Sequence, residues 1–249
     1  MCITDSSIQT FNRIEDRFLL SQHEADIFRQ DLSADFAVER HIDCGDEYPV
    51  ITIYLDDPAQ RCYWDKIDDV PFRRNLRIRC YPENFEGQTF SPVYLEIKQS
   101  IGQSIQKRRA AFSFEQAKQL CQTGLLPDAD CGSETLCREA ASLIREYNLH
   151  PAMTIQFRRI ALESAWSRGN IRVTFDRELF AFPQSDFSEA KPDRCRILPP
   201  GAVIVEIKSN AGLPFWLSEE IKRRQFEPMR RTKYCRAIDL LQPARIHPV

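Results

Sequence analysis

Four stretches of this chain alternate residue by residue between an apolar face and a face of Arg, Lys and carboxylate. A side-chain period of two belongs to a strand with one face buried, so these stretches read as strands of one half-buried sheet. In residues 75–81, Arg77, Arg79 and Tyr81 share a face opposite Leu76 and Ile78. In 93–98, Tyr94, Glu96 and Lys98 oppose Val93, Leu95 and Ile97. In 171–178, Arg172, Thr174, Asp176 and Glu178 oppose Ile171, Val173 and Phe175. In 202–208, Glu206 and Lys208 oppose Val203, Val205 and Ile207. One such face could simply be wetted by solvent. Four of them, each carrying Arg or Lys, describe a lining.

Further strands are predicted at 13–20, 50–55 and 153–162, where alternation leaves open whether Arg158 or Arg159 turns inward. Helix starts are legible between them. Ser21 and Glu24 form a capping box before Ala25, Phe28, Leu32 and Phe36 at helical spacing, and Ser113 and Gln116 form a second, with Gly124 as its stop. A third helix spans about 134–147, with Leu136, Ala140, Leu143 and Tyr147 on one stripe. A fourth spans 214–226, with Trp216, Leu217 and Ile221 as packing residues. Residues 185–200, charged and containing proline, read as a flexible loop. Strands outnumber helices and no linker breaks the chain. The expected fold class is α+β, one domain built on a mainly antiparallel sheet.

With amphipathic helices available to coat the apolar side, the sheet can curl with its charged face inward, giving a closed antiparallel β-barrel with flanking helices. Such a lumen is unstable when empty, because two like charges about 4 Å apart repel by roughly 4 kcal/mol at an effective dielectric near 20. Clustered cations call for a polyanion, and guanidinium groups grip phosphate oxygens in pairs. The bulk charge agrees that placement matters more than excess. The formal net charge is −2 over 249 residues, which argues against a general nucleic-acid binder. No stretch is apolar enough to span a bilayer, and the first 17 residues lack the apolar core of a secretory signal. Nine cysteines without a Cys-x-x-Cys pair read as reduced thiols, hence a cytoplasmic chain. Four scattered histidines offer no zinc site.

Several short motifs then appear in a fixed order. They are Arg13-Ile-Glu-Asp-Arg17, Val50-Ile-Thr-Ile-Tyr-Leu-Asp56 with Tyr63 and Lys66, Arg77-Ile-Arg-Cys-Tyr81, Glu96-Ile-Lys98 and Lys107-Arg-Arg109. After them come Phe157-Arg-Arg159, Ile171-Arg-Val-Thr-Phe-Asp176, Val205-Glu-Ile-Lys208 and Thr232-Lys-Tyr234. Their order resembles the catalytic domain of the vacuolar transporter chaperone (VTC) family, the polyphosphate polymerases of the triphosphate tunnel metalloenzyme (CYTH-like) superfamily. The resemblance covers residues 13–237, leaving 1–12 as an extension and 238–249 as a tail. Three positions depart from the family pattern: Arg17 stands for Lys, Phe157 for Tyr and Thr232 for Ser. In the hydrolase and cyclase branches the opening strand carries carboxylates where this chain has Arg13, which favours the polymerase branch.

The resemblance implies ATP as donor, inorganic polyphosphate as the growing product and Mn²⁺ or Mg²⁺ as cofactor. It assigns Lys107, Arg77, Arg79 and Lys98 to catalysis, with Lys107 beside the transferred γ-phosphoryl. Arg17, Arg109, Arg159, Arg172 and Lys208 would hold phosphates, and Lys233, near Arg230 and Arg231, would guide product at a tunnel mouth. Glu206 is the implied metal ligand. Hydrolysis of triphosphate in the same tunnel, or binding of polyphosphate without turnover, are the competing readings.

Overall fold

The structure, a computed structural model, describes residues 9–11, 14–33, 35–38, 46–82, 93–102, 104–125, 133–164, 171–183, 194–210 and 212–241. Arg13 and most of the expected 185–200 loop lie outside the described residues.

Among the described residues eleven strands form one sheet, accompanied by six helices. They are β1 (Gln9–Phe11), β2 (Ile14–Ser21), β3 (Phe36–Val38), β4 (Glu47–Asp56), β5 (Phe72–Cys80) and β6 (Val93–Ile101). The rest are β7 (Ser104–Phe112), β8 (His150–Ser164), β9 (Arg172–Pro183), β10 (Cys195–Arg196) and β11 (Ala202–Ser209). The helices are α1 (Gln22–Leu32), α2 (Arg61–Ile67), α3 (Phe114–Thr123), α4 (Glu134–Tyr147), α5 (Phe215–Arg223) and α6 (Lys233–Leu241). The strand order is β1-β7-β6-β5-β4-β8-β9-β11-β2, with β3 added to β8 and β10 to β9, and every pairing is antiparallel.

The α+β class is as expected, but the closed barrel is not. Among the described residues the two ends of the path, β1 and β2, do not pair with each other. The reason lies in the chain itself. β1 lies on β7 as far as Phe11, and β2 begins its ladder on β11 at Ile14. Two consecutive strands of one N-terminal segment thus form the two edges, and among the described residues their outer sides are not paired with each other. Three Cα steps span about 11 Å at most, which keeps the ends near each other. The sheet is still tightly curled: Lys98 on β6 reaches Glu15 on β2 at 2.7 Å although five strands separate them along the path.

Two apolar coats cover the outside of the curl. Leu120, Leu136, Ala140 and Leu143 of α3 and α4 pack on Ile53, Ile78, Leu95 and Ile97. Phe28 and Leu32 of α1, with Leu217 of α5, pack on Phe175, Val203 and Val205. Both capping boxes form as the sequence predicts, and Gly124 ends α3 at φ +64°, a left-handed conformation that suits glycine. Trp216 is not the packing residue expected. It is 43% exposed and meets Phe36 edge-on, while Leu217 takes the buried position. At the end of the expected loop, residues 195–198 are ordered instead, with β10 paired to β9 and Ile197 and Leu198 buried.

The inner face is divided along the strands. Val50, Ile155, Phe157 and Ile204 make one end apolar, and Tyr234, Ala237 and Ile238 of α6 pack against them. Beyond that plug, the alternation that carried Val50, Phe157 and Ile204 carries Tyr54, Arg159 and Glu206. The functional side chains occupy this second end. No helix among the described residues is long and apolar enough to cross a membrane.

Candidate functional site: a basic cavity with buried carboxylates

A single cavity of about 620 Å³ opens on the charged end of the inner face. All eleven residues singled out from sequence line it: Arg17, Arg77, Arg79, Lys98, Lys107, Arg109, Arg159, Arg172, Glu206, Lys208 and Lys233. Twelve basic side chains face it against three carboxylates, since Lys66 and Arg73 join the basic set and Glu15, Asp16 and Glu206 are the acids. Arg159 turns inward, whereas Arg158 faces outward and pairs with Glu178 at 3.4 Å. Glu178 was expected on the inner face. A register shift between Gln156 and Arg158 on the neighbouring strand, with Glu178 itself at φ +53°, re-aims it to the outside.

Two groups of ion pairs organise the cavity wall. In the first, Glu96 is fully buried on β6 and gathers cations from its neighbours on both sides. Arg77 Nε donates to its Oε2 at 2.7 Å, Lys107 Nζ donates to Oε1 at 3.2 Å, and Arg79 Nε lies 4.0 Å from Oε2. Arg79 also donates to Thr52 Oγ1 at 3.2 Å. Register explains the convergence, because Arg77 stands directly opposite Glu96 on β5, while Arg79 and Lys107 are its diagonal neighbours on β5 and β7. The Arg109 guanidinium lies 4.7 Å over the Tyr94 ring.

In the second group, Glu15, Asp176 and Glu206 share five cations. Arg159 grips Asp176 with both arms, at 2.6 and 2.7 Å. Lys233 Nζ donates to Asp176 Oδ2 at 2.6 Å and to Glu206 Oε1 at 2.7 Å. Lys208 Nζ bridges Glu206 at 3.1 Å and Glu15 at 3.4 Å. Arg17 bonds Glu15 and donates to Glu206 at 3.3 Å, and Lys98 closes the ring on Glu15. Arg172 stands at the side, 3.4 Å from the Tyr48 hydroxyl and 3.5 Å from Glu163.

Burial in this wall works to raise the carboxylate pKa values, and the cations outweigh it. Glu96 is held well below the usual range by Arg77, Lys107 and Arg79. Glu206 is held there by Lys233, Lys208, Arg17 and Arg159, and Glu15 by Lys98, Arg17 and Lys208. The lysines move the other way. Burial, with Arg159 and Arg172, brings Lys208 down to about 7 against the pull of Glu206 and Glu15. For Lys107, Glu96 acts to raise the pKa, but burial with Arg77 and Arg79 more than offsets it and leaves about 8.

Lys233 does not sit at a mouth. It is 6% exposed at the start of α6, while Arg230 and Arg231 are exposed outside the cavity. What fixes it there is Asp56, fully buried at the end of β4. Asp56 accepts from the Tyr234 hydroxyl at 2.6 Å and from the Cys62 amide at 2.9 Å, so it joins α6 to the start of α2. Tyr54 stacks on Tyr234 with ring centroids 5.0 Å apart. Sequence reasoning had not assigned roles to Glu15, Asp56 or Asp176. A signal for Glu15 existed: pairing β2 antiparallel to β11 sets Glu15 opposite Lys208 and Arg17 opposite Glu206.

A divalent ion fits this site only in company. Among the described residues no group of three His, Cys, Asp or Glu is placed to hold a metal. Glu206 could offer an oxygen, with phosphate oxygens completing the shell, which is how Mg²⁺ commonly binds beside phosphates.

The VTC domain profile matches residues 12–242. The chain belongs to the VTC domain family. Family membership makes this VTC domain a polyphosphate-related protein, in keeping with the basic wall just described. No curated protein matches it in sequence. Among solved structures it is similar to a Bacillus halodurans protein provisionally described as an adenylate cyclase. The identity is 13%, with 88% of this chain and 94% of that chain covered and a TM-score of 0.48.

Proposed function

We propose that this VTC domain is a metal-dependent polyphosphate polymerase, transferring the γ-phosphoryl group of ATP to the end of an inorganic polyphosphate chain. The observation that carries this reading is the lining of one cavity, among the described residues, by twelve basic side chains and three carboxylates, with Glu96 and Asp176 buried behind them. An excess of that size is relieved by a ligand with a charge on every unit. A chain of phosphates has that property, and about 620 Å³ has room for several units.

In the reaction, an oxygen of the terminal phosphate forms a bond to the γ-phosphorus, and the bond from γ-phosphorus to the bridging oxygen of ADP breaks. The loose transition state asks for fixed positive charge rather than a covalent partner. Arg77 and Arg79 supply it, held in place by Glu96 and Thr52 before substrate arrives. Lys107, at about 8, remains largely protonated at neutral pH and is the cation assigned to the transferred group. Lys98, Arg17, Arg109, Arg159, Arg172, Lys208 and Lys233 hold and orient the remaining phosphates. Mn²⁺ or Mg²⁺, when bound by Glu206 with phosphate oxygens, would neutralise charge on the triphosphate.

The test is incubation of the pure chain with ATP and Mn²⁺, followed by a urea gel with and without an exopolyphosphatase. A ladder removed by the phosphatase is the expected result. Free phosphate without a ladder would assign hydrolysis instead. Polyphosphate binding without either product would leave a binding module.

A further inference from the structure

Both oxygens of Glu206 are engaged by cations. Oε1 accepts from Lys233 at 2.7 Å and from Arg17 at 3.3 Å, while Oε2 lies 3.1 Å from Lys208 and 4.0 Å from Arg159. Oε1 already accepts from two donors, so a divalent ion joining that oxygen must displace Lys233 or Arg17. Arg159 is locked in a two-armed contact with Asp176, and Arg17 is shared with Glu15. Lys208 spans two carboxylates from within β11. Lys233 differs from these three. It makes the shortest contact with Glu206, and it enters from the first residue of α6, not from a strand. On leaving Glu206 it keeps Asp176 at 2.6 Å, and a flexible four-carbon stem re-aims an ammonium readily.

We infer that Lys233 is a built-in counter-ion, holding the place at Glu206 Oε1 that a divalent cation takes only when phosphate arrives with it. The inference rests on the reading of Glu206 as metal ligand. A free metal ion meets a carboxylate already neutralised by a short contact in a buried site. A metal–triphosphate complex brings its own negative charge, which draws Lys233 off Glu206 and onto a phosphate oxygen. Metal capture is thereby made conditional on phosphate. The Tyr234–Asp56 bond and the stacking of Tyr54 on Tyr234 anchor the start of α6, from which the Lys233 side chain re-aims.

The test titrates the full chain with Mn²⁺ alone, following free Mn²⁺ by electron paramagnetic resonance. Wild type is compared with Lys233→Gln, Glu206→Gln and the double variant. Lys233→Gln is expected to bind Mn²⁺ at least about tenfold more tightly than wild type, because a like charge within contact distance is removed. The double variant is expected to lose that gain. Equal affinity in wild type and Lys233→Gln, or a gain that survives Glu206→Gln, overturns the inference. A second measurement needs no variant: anomalous scattering from wild-type crystals soaked in Mn²⁺, with and without tripolyphosphate. Manganese is expected at Glu206 only with tripolyphosphate and with Lys233 withdrawn from Oε1. Manganese there without phosphate, or beside an unmoved Lys233, overturns it. Titration with Mn²⁺–tripolyphosphate separates the two layers. If Glu206→Gln binds that complex as tightly as wild type, the metal assignment itself fails. If it binds more weakly while Lys233→Gln gains nothing for Mn²⁺, only the counter-ion inference falls.

Discussion

The Glu96 cluster and the Glu206 cluster use the same kinds of ion pair but are assembled differently. Glu96 draws Arg77, Arg79 and Lys107 from β5 and β7, the strands on either side of its own, and it is the only carboxylate that the three share in the contacts described. Glu206 sits among Glu15 and Asp176, and the five cations that the three carboxylates share come from β2, β6, β8, β11 and α6. The first arrangement is fixed by the register of neighbouring strands. The second exists only once distant parts of the chain have come together. Every cation in the second except Lys98 touches two carboxylates, so it can rearrange without leaving a charge alone. That contrast assigns rigid positioning to the Glu96 side and exchange of ligands to the Glu206 side.

The largest expected effect follows from Glu96. Changing Glu96→Gln removes the one buried carboxylate common to three cations of the wall, and the expected loss of stability is about 3–5 kcal/mol in urea denaturation. Glu206→Gln is expected to cost less, about 1–3 kcal/mol, because Asp176 and Glu15 retain Lys233, Arg159 and Arg17. Its activity should show the opposite ranking, with metal-dependent turnover lost while polyphosphate still binds. Equal stability costs for the two variants would break the comparison.

A smaller effect concerns protons. Lys208 at about 7 and Lys107 at about 8 are partly neutral at pH 8 in the free chain. A bound phosphate raises both values, so binding of tripolyphosphate at pH 8 should take up protons. At pH 6 both lysines are already charged, and uptake should be close to zero. Affinity should weaken as pH rises through this range. Calorimetry in buffers of different ionisation enthalpy measures the uptake, and a value independent of pH would count against lysine contacts on the ligand.

The parts of this account that were readable from sequence are those governed by local periodicity. Alternation at Arg77 and Arg79, at Lys98, and at Glu206 and Lys208 placed each on the cavity side, because the pleat alone decides this. The capping boxes at Ser21 and Ser113 fixed two helix starts for the same local reason. Alternation could not follow the bulge that turned Glu178 outward, since a bulge depends on the partner strand. β7 escaped notice as a strand because Gln106 to Arg109 is an unbroken polar run. α6 was also missed, being short and lacking a legible start signal, and with it the buried place of Lys233. The open seam of the sheet lay further out of reach. It depends on one segment serving two edges, which only the assembled strand order reveals.

The central claim is that one phosphate chain engages both clusters at once. A crystal structure of the chain with tripolyphosphate tests it most directly. The account predicts phosphorus density running through the cavity from Arg77 and Arg79 to Lys208 and Arg172. Phosphate confined to one cluster, or bound only outside the cavity, would contradict it.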